Sequence, residues 1–258
     1  MNVLESFSLK NKVAVVTGGA GLFGRQIVEA VAEAGAKTFT ASRDLKKLET
    51  EAKPLRARGL DVTALPYDQG DEKSIRDLLA AIVKTAGGVD VLVNNSVARP
   101  MKSWPGTAEQ FAESMRINAT GLYLMVRLFG EHMAERGHGS IVNIGSIQGV
   151  VGPSFHLYEG LGMDAPPDYF FHKGGLVQLT KYAAGKLGPR GVRVNAISPG
   201  GFYNNHDPRF LERYNALTYL KRMANMTDLK GAIVFLASDA AAYITGANIP
   251  VDGGYTAS

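Results

Sequence analysis

Two residues in the stretch HLYEGLGMDAPPDYFFHK, Tyr169 and Lys173, have the types and the spacing needed for proton transfer. They stand four positions apart, so they share one face if a helix begins here. A tyrosine with a pKa of about 10 exchanges protons poorly at neutral pH, and a nearby ammonium group favours its phenolate form. The pair therefore predicts acid–base chemistry at a hydroxyl or carbonyl group. Asp168 is a candidate cap for this helix, with Pro166 and Pro167 separating it from the preceding loop.

Composition narrows the classes of protein that could carry this pair. The chain has 258 residues and no cysteine, which favours one α/β domain over residues 1–258 and excludes structural disulfides and thiolate metal sites. No apolar run predicts a signal peptide or a membrane span, so we expect a cytoplasmic protein that binds no membrane. The net charge is +4, but the cations are dispersed, which argues against nucleic acid and suits an anionic small molecule.

Short β-branched runs alternate with helical patterns along the chain. The predicted strands are KVAVVT, KTFTAS, DVTALPYD, VDVLVNNS, GSIVNIGS, RVNAISPG and NIPVDGG. This alternation predicts a doubly wound parallel sheet of about seven strands with helices on both faces. Residues 107–136 form a long amphipathic stretch in which Thr107 and Gln110 predict a capping box. Residues 201–225 are expected to be rich in loops.

The glycine turn TGGAGLFG directly follows the first predicted strand and opens the first predicted helix. Glycines here permit a tight turn and a close approach of the backbone, so that N–H groups at the helix start can face a pyrophosphate. This placement favours a Rossmann-type dinucleotide site over a glycine-rich turn without a ligand. A P-loop is excluded because Arg25 and Gln26 follow Gly24.

The end of the second strand, TASRD, bears on which dinucleotide binds. Ser42 and Arg43 occupy the turn where a basic residue accommodates a 2′-phosphate and an acid selects free ribose hydroxyls. NADP(H) is therefore preferred. NAD(H) stays open because Asp44 follows directly.

The ordered motifs TGGAGLFG, VNNS, RINATG, NIGS, YFFHK and SPG make the chain resemble the short-chain dehydrogenase/reductase family, in its short single-domain form. The resemblance extends from about Leu9 to the C-terminal VDGGY. It implies a catalytic set of Asn118, Ser146, Tyr169 and Lys173. In this set Tyr169 exchanges the proton, Ser146 binds the reacting oxygen, Asn118 holds a relay water, and Lys173 also binds the nicotinamide ribose.

The same resemblance implies the cofactor contacts. They are Gly18, Gly21, Leu22, Phe23, Gly24, Ser42, Arg43, Asp68, Gln69, Asn95, Ser96, Tyr169, Lys173, Pro199 and Gly200. Asp68 should meet the adenine edge, although a helix cap explains an aspartate there nearly as well. Three departures from the family pattern are Leu22 in place of glycine, VNNS in place of NNAG, and GFYNN, with Asn204 or Asn205 near the usual threonine.

The interval between Ser146 and Tyr169 is longer than the common form by about the length of PSFHLYEGLG. Extra chain at this edge of an α/β sheet lies where substrates bind. We expect segments of about 150–168 and 201–225 to form a substrate wall, with a surface elaboration or subunit contact as the alternative. The candidate polar contacts are His156, Tyr158, Glu159, His206 and Arg209.

These features predict an NADP(H)-dependent oxidoreductase that interconverts a secondary alcohol and a ketone, on a sugar, sugar acid or polyol. A 3-oxoacyl thioester reductase, an epimerase and a non-catalytic dinucleotide-binding sensor are the alternatives. No G-x-S-x-G surrounds Ser146 and no H-E-x-x-H occurs, so a serine hydrolase and a metal site are not predicted. The resemblance suggests a homotetramer or homodimer packed through residues 107–136 and 170–187.

Overall fold

Seven strands form one parallel sheet at the centre of the computed structural model, which describes residues 2–257. They are β1 (Val13–Thr17), β2 (Lys37–Ser42), β3 (Val62–Pro66), β4 (Val91–Asn94), β5 (Gly139–Ile144), β6 (Val192–Pro199) and β7 (Asn248–Val251). Their order is β3-β2-β1-β4-β5-β6-β7, and every neighbouring pair runs parallel. The predicted sheet is confirmed. The order reverses between β1 and β4, which is where open sheets of this kind bind ligands.

Among the described residues, eight α-helices flank the sheet. They are α1 (Leu22–Glu33), α2 (Leu45–Ala57), α3 (Glu72–Ala86), α4 (Ala108–Met115), α5 (Leu122–Glu135), α6 (Pro167–Leu187), α7 (Pro208–Leu217) and α8 (Lys230–Ala237). The expectation of loop over 201–225 is wrong for α7. That helix starts with Asp207, whose side chain accepts from the Arg209 N–H, and with proline in its first turn. Both are ordinary signals for the start of a helix. The segment is short and largely polar, so its helical pattern is weak in the sequence.

Alternate side chains of each central strand enter opposite layers of the core. Val15 and Leu92 belong to the layer that contains Phe129 of α5. Val16 and Val93, one position along, belong to the layer covered by α1 and α8. Because a strand's side chains alternate with a period of two, an apolar run buried on both faces is what a doubly covered parallel sheet requires.

The long amphipathic stretch is helical but interrupted. The capping box is confirmed, since the Thr107 hydroxyl accepts from the Gln110 N–H at 3.2 Å and the Gln110 side chain accepts from the Thr107 N–H at 2.9 Å. A π-helical turn over Arg116–Gly121 then separates α4 from α5. Such turns occur often at functional sites.

Asp90 joins three strand starts at the amino edge of the sheet. Its buried carboxylate accepts from the Val13 N–H at 2.7 Å and contacts the His138 ring at 2.9 Å and the Arg136 guanidinium at 3.1 Å. Burial alone would raise the pKa of Asp90, but these hydrogen bonds and the charges of Arg136 and His138 outweigh it and hold the pKa below its usual range.

Replacing Asp90 with asparagine should lower the free energy of unfolding by about 2–3 kcal/mol at pH 7, because the charged acceptor is lost. A depressed folded-state pKa stabilises the protein above the unfolded value of about 3.9 and ceases to do so as pH falls through the folded value. The difference from the wild type should therefore shrink in denaturant titrations near pH 3. The exposed Asp61, replaced in the same way, is the control. A loss of stability that is equal at both pH values would contradict a role for the charge.

Candidate active site

One large cavity opens at the carboxyl edge of the sheet, across the point where the strand order reverses. Its volume is about 1240 Å³. Its wall contains most of the predicted site residues: Gly18, Gly21, Leu22, Phe23, Ser42, Arg43, Asp68, Gln69, Asn95, Ser96, Ser146, Tyr158, Tyr169, Lys173, Pro199, Gly200 and His206. The site therefore assembles from the ends of β1 to β6, as expected for a parallel sheet.

The glycine turn forms one side of the cavity. Gly18 has φ +68°, a left-handed conformation that favours glycine. Gly24 is buried beneath the turn rather than on the wall, and a Cβ atom there would overlap the carbonyl oxygen of Gly18. The turn can thus lie close to α1 only with glycine at this position. The N-terminus of α1 then faces the cavity, which fits the pyrophosphate of a dinucleotide.

Hydrogen bonds tie the glycine turn to the loop after β4. The Thr17 hydroxyl accepts from the N–H groups of Asn95 and Ser96, both at 3.1 Å. The Asn95 amide donates to the Thr17 carbonyl at 3.2 Å and the Gly18 carbonyl at 3.0 Å. The two sides of the crevice are therefore held at a set spacing.

The ends of β2 and β3 form the outer part of the cavity. Arg43 and Lys47 both lie on its wall, and both are exposed. Asp44 also lines the wall, but its carboxylate caps α2 by accepting from the Lys47 N–H at 2.9 Å. Lys47 was missed in the sequence because it was grouped with dispersed charges. Its position in the first turn of α2, directly after the turn that holds Arg43, was the available signal.

Asp68 and Gln69 lie on the wall after β3. The Asp68 carboxylate accepts from the Gly70 N–H at 2.8 Å, while Asp71 provides the cap of α3. The capping alternative for Asp68 therefore does not hold. Gln69 donates to the Ile117 carbonyl at 2.9 Å and accepts from the Tyr67 hydroxyl at 3.1 Å, so its side chain is engaged within the protein.

Tyr169 and Lys173 lie one turn apart in α6, as predicted, and both line the cavity. Lys173 is buried, with its ammonium group 5.6 Å from the centre of the Tyr169 ring and donating to the Ile144 carbonyl at 2.6 Å. Burial lowers the pKa of Lys173, the charge of Tyr169 opposes this, and Arg99 adds to the lowering. The ammonium group therefore lies beside the tyrosine ring, where its charge favours the phenolate form of Tyr169.

Ser146 lies just past the end of β5, where a short 3₁₀ turn begins. Its oxygen accepts from the Gln148 N–H at 3.1 Å, which leaves the hydroxyl hydrogen available to an oxygen in the cavity. Ser146 therefore both caps a turn and faces the site.

Asn118 lies within the π-helical turn and does not line the cavity. Its side-chain oxygen accepts from the Ala98 N–H at 2.8 Å, and its amide donates to the Ala98 carbonyl at 2.8 Å and to Ser114 at 3.0 Å. These contacts engage the side chain within the protein, and the holding of a relay water by Asn118 stays a prediction. Its role in the structure is to fix the loop after β4.

Asp168 does not cap α6, contrary to expectation. Pro166 occupies the capping position, Pro167 starts the helix, and Asp168 lies buried in the first turn. One of its carboxylate oxygens has no hydrogen-bond partner among the described residues, and neither does Nε2 of the buried His172 one turn later. Burial and the charges of Lys173 and Arg99 lower the pKa of His172 to about 3, so this ring is neutral.

The two segments expected to form a substrate wall pack together at the other end of the cavity. Leu157, Phe210, Tyr214, Met223 and Tyr255 share a small apolar cluster with Ile147. The rings of His206, Phe210, Tyr214 and Tyr255 are stacked in succession, with centres 5.2, 6.0 and 5.3 Å apart.

Three of the five predicted substrate contacts lie off the wall. His156 and Glu159 are exposed and contribute their carbonyl groups to Arg213 at 3.1 and 2.8 Å, while Arg209 pairs with Asp207 at 2.9 Å. We therefore do not count these three as substrate contacts. Arg213, which anchors the insert, was not identified in the sequence because its partners are backbone atoms more than fifty positions away.

The structure adds residues that sequence reasoning missed. Gln148, Tyr214 and Arg99 all line the cavity, and so does Asn204, which the sequence places, with Asn205, near the position of the usual threonine. Asn204 lies in the GFYNN stretch that departs from the family pattern. Among residues 2–257, no three His, Cys, Asp or Glu side chains form a group that could hold a metal ion, and no helix is long and apolar enough to cross a membrane.

Comparison with known proteins agrees with this geometry. A family model described as enoyl-(acyl carrier protein) reductase matches residues 20–256. An uncharacterised oxidoreductase from Thermotoga maritima is 37% identical, over 96% of this chain and 97% of its own length. A D-threitol dehydrogenase from Mycolicibacterium smegmatis is 34% identical, over 99% of this chain and 97% of its own.

A solved structure is also similar to this chain in fold. The gluconate 5-dehydrogenase from Burkholderia cenocepacia J2315, in complex with NADP and tartrate, superposes with a TM-score of 0.89, at 27% identity and over 100% of both chains. Because such matches cover nearly the whole chain, and because the sheet and the site have the expected form, the protein belongs to the short-chain dehydrogenase/reductase family, as a single-domain oxidoreductase.

Proposed function

We propose that the protein is an NADP(H)-dependent oxidoreductase that interconverts a secondary alcohol and a ketone on a sugar, sugar acid or polyol. The observation that carries the reaction is the meeting of Ser146, Tyr169 and Lys173 on the wall of one cavity, which also contains a glycine turn fitted to a dinucleotide. A bound nicotinamide would supply or accept the hydride.

The chain's own residues would move the proton and hold the reacting oxygen. In the reductive direction Tyr169 donates its hydroxyl proton to the carbonyl oxygen, and it recovers that proton in the reverse direction. The ammonium group of Lys173 stabilises the phenolate that forms, at 5.6 Å from the ring centre. The Ser146 hydroxyl donates a hydrogen bond to the same substrate oxygen.

The polar part of the wall favours a polyhydroxylated substrate. Gln148, Ser154, Tyr158, Asn204 and His206 offer hydroxyl, amide and imidazole groups beside the reacting residues. A D-threitol dehydrogenase and a gluconate 5-dehydrogenase are among the similar proteins, and both names denote polyhydroxylated substrates. The description of the matched family model supports a thioester reductase as the second candidate. Turnover of acyl thioesters in preference to sugars, sugar acids and polyols would support the thioester reductase.

Arg43 and Lys47 support NADP(H), because two cations at the end of β2 suit a 2′-phosphate. Their neighbour Asp44 is engaged in capping α2. NADP is also present in the gluconate 5-dehydrogenase structure.

We further propose a cytoplasmic homotetramer or homodimer packed through α5 and α6, where the aromatic rings of Tyr123, Phe171 and Tyr182 are exposed. The molar mass from light scattering gives the number of subunits in the assembly.

Tyr169→Phe should reduce kcat by roughly 10²–10⁴-fold, because the hydroxyl that exchanges the proton is lost. Binding of NADPH, followed by fluorescence, should be unchanged. The control is Tyr243→Phe, which removes the hydroxyl of an exposed tyrosine off the cavity wall. Equal turnover by the Tyr169 variant and the wild type would rule out this mechanism.

Arg43→Asp should lower the ratio of kcat/KM for NADPH over NADH by about 100-fold, because an acid would repel the 2′-phosphate and accept ribose hydroxyls. Lys46→Asp makes a like change of charge three positions away, off the cavity wall, and should leave the ratio close to that of the wild type. If both variants shift the ratio equally, the effect comes from general charge rather than from a contact of Arg43.

A further inference from the structure

Arg99 is a cation at the reacting end of the cavity that the chemistry described above does not use. It follows β4, and its guanidinium carbon lies 4.5 Å from the centre of the Tyr169 ring. Its side chain is exposed and lines the cavity. Among residues 2–257, no carboxylate pairs with it and no side-chain hydrogen bond engages it. Arg99 therefore offers its N–H donors to whatever enters the cavity.

The position of Arg99 is held from two directions. Its neighbour Ala98 is bound at both its N–H and its carbonyl by the side chain of Asn118, each at 2.8 Å. The guanidinium group itself rests over the face of the Tyr169 ring, where a cation is attracted by the π-electrons. The first contact fixes the backbone next to Arg99 and the second favours one placement of its side chain, so less side-chain freedom is lost when a ligand binds.

Charge is distributed unevenly along the cavity. The four cations on its wall are Arg43, Lys47, Arg99 and Lys173, and the two carboxylates are Asp44 and Asp68. Both carboxylates follow β2 and β3, at the opposite side of the crevice from β5 and α6.

Beside Tyr169, within the described residues, the wall itself therefore carries cationic and neutral groups, while the carboxylate of Asp168 is buried off the wall. Lys173 already donates to the Ile144 carbonyl. Burial lowers the pKa of His206, so that ring is neutral at pH 7. Arg99 is thus the cation there that is free to take an anion.

We propose that Arg99 binds a carboxylate of the substrate, so that the enzyme prefers polyhydroxylated acids to neutral sugars or polyols. A guanidinium group presents two parallel N–H donors that match the two oxygens of a carboxylate. Since the same group lies against the ring of Tyr169, one small molecule can engage both residues, with its acid group a few bonds from the reacting carbon. This inference rests on the proposed function and narrows its substrate class.

Matched pairs of an aldonate and its alditol, such as D-gluconate and D-glucitol, test the proposal directly. The wild type should have the higher kcat/KM for the acids. Arg99→Met should lower kcat/KM for the acids by about 10–100-fold, mainly through KM, and change that for the alditols by less than about threefold. Arg99→Lys should be intermediate, because it keeps the charge but loses the planar donor pair. Lys102→Met removes a cation from the same loop, off the cavity wall, and should match the wild type.

Two results would overturn the proposal. One is an equal loss of kcat/KM for acids and for alditols in Arg99→Met, together with a shifted pH profile of kcat. That result would show that Arg99 acts only on the ionisation of Tyr169. The other is faster turnover of alditols by the wild type.

Calorimetric titration of the NADPH-loaded enzyme with D-gluconate, a pair that cannot react, keeps this test separate from that of the proposed function. Binding that is lost in Arg99→Met supports the carboxylate site even if no sugar, sugar acid or polyol is turned over, an outcome that would reject the proposed function alone. Binding equal to that of the wild type in Arg99→Met rejects the carboxylate site.

Discussion

The buried ammonium group of Lys173 is the constraint on which the site depends. Removing an ammonium group from water is costly unless a partner accepts its hydrogen bonds. The Ile144 carbonyl at the end of β5 does so at 2.6 Å, and Tyr169 supplies the nearby group that becomes negative. The start of α6 must therefore pack against the end of β5, and that packing places Tyr169 at the cavity. A lysine on the surface could not stabilise a phenolate as well, because water would screen the interaction.

The remaining parts of the site are held relative to this pair by polar contacts at one edge of the sheet. The Thr17 hydroxyl and the Asn95 amide tie the glycine turn to the loop after β4. Ala98 lies a few residues further along that loop, and the Asn118 side chain binds both its N–H and its carbonyl group. The dinucleotide side and the reacting side of the cavity are thus joined through one short segment. A substitution at Asn118 would therefore shift the loop that lines the cavity, although the Asn118 side chain does not line it.

Local patterns explain what could be predicted from the sequence. Strands buried on both faces are β-branched runs, and the spacing of Tyr169 and Lys173 is a property of one helix. The misjudged residues depend instead on distant partners. Lys47 is one of many dispersed charges along the chain, and Arg99 belongs to a loop without a motif. His156 has a side chain typical of a polar contact, but its carbonyl is what anchors it to α7. Such roles follow from which strand ends become neighbours, and spacing along the chain does not carry that information.

The charge of the protein illustrates the same difference between sequence and space. Its cations are dispersed along the chain, yet the fold brings four of them to the wall of one cavity. Two lie after β2, where a cofactor phosphate is proposed, and two lie beside Tyr169. A cavity with low-dielectric walls and cations at both ends attracts anions more strongly than the net charge of +4 implies. On the wall itself the carboxylates Asp44 and Asp68 lie only at the β2 and β3 end, and the carboxylate of Asp168, next to Tyr169, is buried off the wall. An anionic substrate gains most beside Tyr169, where Arg99 is exposed and Lys173 is not.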